Sequence, residues 1–154
     1  MWDKISITNG VYMLKRLILL LVLVAVTYGQ GILRSPFILG DSKSRARTYC
    51  ISMTTSDSVL EKYDVIGADS IPYTLAFEND KLWLIEMEER APSMDDYNAV
   101  IQHLSQYNRR KPDYSFPLLD GHSSSWVGPH SSLVVIYNIN THNLITQLIH
   151  SVRE

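Results

Sequence analysis

Apolar residues recur in three rhythms along this chain: every second residue, every third or fourth residue, and uninterrupted. Tyr73, Leu75 and Phe77 recur at every second position, and so do Trp83, Ile85 and Met87. A period of two lines one face of a strand. Between these runs Asn79-Asp80-Lys81 has the composition of a tight turn that tolerates positive φ, so residues 71–78 and 82–88 are expected to form a β-hairpin. A second hairpin is expected from 133–139 and 144–150 around Asn140-Thr141-His142-Asn143. It would set Val135, Tyr137 and Ile139 against Leu144 and Leu148.

The helical rhythm is clearest after Pro92. Ser93 can cap a helix, Asp95 and Asp96 place negative charge in its first turn, and Tyr97, Val100, Ile101, Leu104 and Tyr107 follow the 3.6-residue period. Lys111-Pro112 is expected to end it. Two weaker helical signals precede the first hairpin. Gly40-Asp41 reads as a helix start, with Ala46, Tyr49, Cys50 and Met53 forming a stripe, and a strand over 48–53 is the competing reading. Ser58-Val59-Leu60-Glu61 has capping-box spacing and predicts a short helix to about Tyr63. Residues 30–40 read as an extended lead-in, and 111–132 as a long irregular segment.

Together these elements predict an α+β fold, a small two-layer domain. Its antiparallel sheet of two hairpins (about 71–89 and 132–150) is covered on one face by an amphipathic helix (about 93–109). The other sheet face is left to solvent or a partner.

The uninterrupted run is Leu17–Val26, ten apolar residues preceded by Lys15-Arg16 and followed by Thr27-Tyr28-Gly29. A basic start, a short apolar stretch and small residues at the −3 and −1 positions are the pattern of a secretory signal peptide. The run is too short for the about 20 residues that span a bilayer. Residues 13–29 are therefore expected to be a signal peptide. Residues 1–12 are expected to derive from an upstream start codon, and residues 30–154 to form one domain. The alternative is an uncleaved signal anchor tethering the chain to a membrane, which would be its only membrane contact.

Within 30–154 there are 11 Lys and Arg against 15 Asp and Glu, a net charge of about −4. That balance argues against sequence-independent nucleic-acid binding, which needs clustered positive charge. The cluster Arg109-Arg110-Lys111 is accounted for by the negative end of the preceding helix. Cys50 is the only cysteine, so no intrachain disulfide forms and the domain depends on its core. Cys50 is read as a small buried apolar residue rather than a reactive thiol. No Asn-x-Ser/Thr site occurs. With the signal, these features point to a secreted or periplasmic protein.

Candidate chemistry concentrates in 111–132. Asp120, His122 and His130, with Ser123, Ser124 or Ser125, would supply orienting carboxylate, base and nucleophile for hydrolysis if they converged. The serines lack the Gly-x-Ser-x-Gly elbow. His122 and His130 could instead hold zinc or copper beside a carboxylate such as Asp120. His103, His142 and His150 are read as helix-face, turn and strand-end residues, and Glu86, Glu88, Glu89, Asp95 and Asp96 as a solvated acidic stretch. No cofactor is expected.

Residues 63–104, with Ile71-Pro72-Tyr73-Thr74-Leu75-Ala76-Phe77-Glu78-Asn79-Asp80-Lys81, resemble the C-terminal half of a thioredoxin fold, in which Pro72 would be the cis-proline ahead of a hairpin and last helix. The resemblance covers about 40 residues and lacks Cys-x-x-Cys, so it implies a redox-dead binding domain. The leading expectation is a non-catalytic interaction module for another protein or a cell-envelope component, with Tyr114, Phe116, Trp126 and Tyr137 as aromatic anchors. A small hydrolase or metal-binding protein centred on His122 and His130 is the alternative.

Overall fold

A computed structural model describes residues 33–151. The signal peptide expected over 13–29 and the first residues of the lead-in lie outside the described residues. The order is α1 (Lys43–Arg47), β1 (Cys50–Asp57), β2 (Lys62–Gly67), β3 (Pro72–Glu78), β4 (Lys81–Arg90), α2 (Met94–Asn108), β5 (Tyr114–Leu118), β6 (Gly121–Val127), β7 (Ser131–Asn138) and β8 (Asn143–His150). All eight strands form one antiparallel sheet in the order β1-β2-β3-β4-β8-β7-β6-β5. Each half is a helix followed by a four-strand meander. The halves join through their last strands, β4 and β8, paired from Leu84↔Ile149 to Arg90↔Asn143.

The expected α+β class with an antiparallel sheet is observed, but the sheet is twice as wide as two hairpins. The β3–β4 and β7–β8 hairpins form as expected. Asn79 and Asp80 both take positive φ (50° and 62°) in the two-residue turn, the conformation for which Asn and Asp are suited. Trp83 departs from the expected alternation: Ala76 pairs with Leu84 and Phe77 with Leu82, so Trp83 is the extra residue of a bulge. Leu82 and Leu84 are buried instead. Ile139 falls in the β7–β8 loop, 48 % exposed, rather than on the core face.

Ser93 caps α2 through a capping box. Its hydroxyl accepts from the Asp96 amide, and Asp96 accepts from the Ser93 amide. The helix ends before Lys111-Pro112, at Arg109, which takes φ 54°. The Arg109 and Arg110 amides donate to the carbonyls of Gln106 and Ser105, closing a Schellman turn without glycine. Tyr97, Val100 and Leu104 are buried, and Tyr107 is exposed.

Three elements differ from expectation for identifiable reasons. The first helix is only α1, capped by Ser42, while Asp41 pairs with Arg45 at 3.4 Å. The stripe through Tyr49, Cys50 and Met53 is not helical: Tyr49 lies in the turn after α1, and the competing strand forms from Cys50 onward. The helix expected at 58–63 is a turn and the start of β2, with Asp57 accepting from the Val59 and Leu60 amides. The irregular segment 111–132 contains β5 and β6. Gly121 opens β6 where a Cβ would lie 1.7 Å from the Tyr137 carbonyl oxygen, so only glycine lets β6 and β7 close there. The thioredoxin resemblance fails on topology: the sheet is wholly antiparallel, and the described residues contain no cis peptide bond.

Both helices lie on one face. Register puts Trp126, Leu133, Leu148, Ile85, Leu75 and Tyr63 in one cross-strand row on that face, and Ala46, Tyr97, Val100 and Leu104 join the same core. Thr146 lies in the middle of it, between Met87 and Val135, fully buried and with no partner for its hydroxyl. An unsatisfied buried hydroxyl costs roughly 1–3 kcal/mol. Thr146→Val keeps the shape and removes the orphan, so denaturant unfolding should show a gain of about 1 kcal/mol. A loss would mean that the hydroxyl contributes to the fold.

Candidate functional site

The face opposite the helices is built from the other half of every strand's alternation. One row across it runs Tyr114, Ser125, Val134, Gln147, Glu86, Thr74, Asp64 and Thr54, from edge to edge. A parallel row runs Phe116, Ser123, Ile136, Ile145 and Glu88. Among the described residues no helix packs on this face. Ala76, Leu84 and Ser123 are buried in it, Val134, Ile136, Ile145 and Glu86 are half-buried, and Asp64 and Glu88 are exposed. At the β5 edge Tyr114 and Phe116 are 61 % and 48 % exposed, with Leu118 and Val127 beside them.

The two halves of the face differ in chemistry. The β5–β8 half carries the exposed aromatic pair Tyr114 and Phe116 and the half-buried Val134, Ile136 and Ile145. Over β1–β4 lies a groove of about 460 Å³ whose carboxylates are Asp64, Glu86 and Glu88. Neutral side chains hold each of them. Thr74 donates to Asp64 at 3.1 Å, Gln147 to Glu86 at 2.7 Å, and Asn143 to Glu88. None of the three is in an ion pair of the kind that Lys43–Glu61, Arg45–Asp41 and Arg110–Asp113 form among the described residues. Register also places cations on this face: Lys62 two residues from Asp64 on β2, Lys81 opposite Glu78 at the β3–β4 turn, and Arg90 at the last pair of β4 with β8.

The hydrolytic and metal constellations are not assembled. Asp120 is exposed in the β5–β6 turn, His122 is half-buried near the start of β6, and His130 is exposed beyond its far end. The strand that sequence reading took for a loop is what separates the two histidines. His122 packs its ring 6.0 Å from that of Tyr97. Ser124 is fully buried, sharing hydrogen bonds with the hydroxyls of Tyr97 (2.7 Å) and Ser115 (2.8 Å), not with an imidazole. Ser123 points to the other face, and Ser125 with it. No group of three His, Cys, Asp or Glu side chains suited to a metal occurs among the described residues.

Of the aromatic anchors, Tyr114 and Phe116 are on the open face. Trp126 and Tyr137 are each 2 % exposed in the core, with the Trp126 indole donating to the Arg110 carbonyl at 3.2 Å. Cys50 is half-buried at the start of β1, and its thiol donates to the Ala46 carbonyl at 3.4 Å. Burial pushes that thiol's pKa up against a smaller downward pull from Arg47, which disfavours the reactive thiolate. Sequence reading missed the acidic groove as a site because Glu86 and Glu88 resemble any solvated strand end. Only the pairing of β4 with β8 sets them beside Ile145 and Gln147. Comparison with protein-family models, curated proteins and solved structures finds no match.

The Tyr97–Ser124–Ser115 hydroxyl chain is structural, tying α2 to β5 and β6. Burial raises the Tyr97 pKa above its ordinary 10, while the bonds to Ser124 and Ser115 oppose the rise. A raised phenol makes its contribution fully below pH 10 and loses it as pH climbs from there through the folded-state value, because the unfolded chain releases its proton first. Tyr97→Phe should therefore lower stability near neutrality by roughly 1 kcal/mol, about 3–5 °C in Tm. It should also make the alkaline decline shallower; an unchanged decline would show that Tyr97 does not titrate on unfolding.

Proposed function

We propose that this chain is an exported, non-catalytic binding module that engages another protein or a cell-envelope component through the open face of its sheet. The observation that carries this reading is the exposure of Tyr114, Phe116, Leu118 and Val127 together at one end of a face that no described helix covers. Leaving one contiguous apolar group in water is unfavourable, and such patches mark interaction sites more often than isolated apolar residues do. Aromatic side chains bring large contact area at low entropic cost, which suits Tyr114 and Phe116 to anchoring a partner. The leader at 13–29 supports export. Hydrolysis and metal binding at Asp120, His122, Ser124 and His130 find no support in the geometry, since the residues lie in different environments along β6.

Docking by strand addition is the less favoured mode. β5 is an edge, but Pro117 within it lacks an amide to donate. At the other edge, β1 has register shifts at both ends. Each device limits pairing with an added strand.

The test uses the whole chain expressed with its leader in its native cell, with a photo-crosslinking residue replacing Phe116, Ile145 or, as a control on the outer surface of α2, Gln102. Recovered protein should begin at Gln30, and discrete crosslinked species should form from positions 116 and 145 but not 102. A product retaining Met13 contradicts export by cleavage. Equal crosslinking at all three positions contradicts a binding face.

A further inference from the structure

Resting on that reading, we infer that the occupant of the open face is a basic amphipathic helix of a partner protein, laid along the β4–β8 seam. The seam is where the two chemistries of the face meet. Glu86 and Glu88 stand on β4, directly opposite Gln147 and Ile145 on β8, with Ile136 one strand beyond and Asp64 two strands the other way. A ligand lying along this line has an apolar flank to fill and an acidic flank to neutralise. The carboxylates are held by amide and hydroxyl donors, which fix their positions without cancelling their charge. The acidic groove over β1–β4 contains no cationic side chain among its lining residues. A row of Lys or Arg is its complement, and a leucine-type stripe is the complement of Ile136 and Ile145.

The occupant's secondary structure follows from the seam's place in the sheet. β4 and β8 are central strands: β8 is paired with both neighbours, and β4 with β8 throughout the seam and with β3 as far as Glu86, so an occupant above the seam meets side chains rather than a sheet edge. Such an occupant binds by side-chain packing, as α2 does on the opposite face through Tyr97, Val100 and Leu104. The seven paired residues of the seam extend about 24 Å at 3.4 Å per residue. A helix of about 16 residues matches that length at 1.5 Å per residue. Its apolar stripe would face β7 and β8 and its basic side Glu86 and Glu88 on β4, with its end over Arg90 left uncharged or acidic, the helix-on-apolar-surface mode of recognition.

The test titrates the exported protein with two synthetic 16-residue helical peptides that share one leucine stripe and carry Lys or Glu at every other position, monitored by backbone amide NMR. The Lys peptide should bind and shift the signals of Glu86, Glu88, Ile136 and Ile145. The Asp64→Asn, Glu86→Gln, Glu88→Gln triple variant should bind it about tenfold more weakly, the sum expected of three partly exposed ion pairs. Asp64→Asn alone changes only an exposed side chain, and should give a smaller loss in the same direction if the triple variant folds poorly. Undiminished binding by these variants, or shifts confined to the α2 side, overturns the inference. Binding of the Glu peptide to the same signals overturns the basic partner while keeping the face as a docking surface. If neither peptide moves those signals the inference is refuted, while the docking face stands or falls on the crosslinking from positions 116 and 145.

Discussion

The pairing of β4 with β8 is the constraint on which the rest of this molecule depends. Seven residue pairs join two meanders that are otherwise separate in sequence, and the join aligns their apolar sides into a single surface. Ile85 and Met87 on one strand meet Leu148 and Thr146 on the other, so the core passes through the seam without a break. Neither half has a helix cover that could stand alone for the whole sheet: α1 has five residues, and α2 packs over the β6–β8 half. With no disulfide possible in this chain, the continuity of that one core replaces a covalent staple.

Placing both helices on one face has a direct functional consequence. Alternation along eight strands generates two faces. The helices bury one of them, so every outward-pointing residue of the other gathers on a single surface. Residues that look unrelated in sequence, such as Phe116, Ile136, Ile145 and Glu88, become neighbours in one row there. The same geometry holds the expected hydrolytic residues apart, since β6 separates His122 from His130 and Ser124 is buried under α2.

Much of the fold was legible where apolar periodicity and turn chemistry agreed. Asn79-Asp80 announced the β3–β4 hairpin, Ser93 with Asp96 announced α2, and Leu144 with Val135 and Tyr137 announced β7 and β8. β5 and β6 were hidden for a physical reason. In β6 the inward positions include Ser124, whose burial is satisfied by Tyr97 and Ser115 hydroxyls rather than by apolar contact, so the strand shows little hydrophobic alternation. In β1 the spacing of Ala46, Tyr49, Cys50 and Met53 imitates a helix, yet the β-branched Ile51, Thr54 and Thr55 favour a strand. The bulge at Trp83 follows from pairing with β3, which no local pattern encodes. Of the expected aromatic anchors, Tyr114 and Phe116 lie exposed on the open face, whereas Trp126 is core. The acidic groove was invisible because it is made by strand order.

The measurement that bears most directly on this account is the pattern of backbone proton contacts from β4 in solution NMR. The account predicts contacts from Met87 to Thr146 and from Glu88 to Ile145, with Ile136 and Ile145 free of contacts to either helix. Contacts from β4 to another strand of the second meander in place of β8, or from Ile136 and Ile145 to α1 or α2, would contradict both the shared seam and the open face.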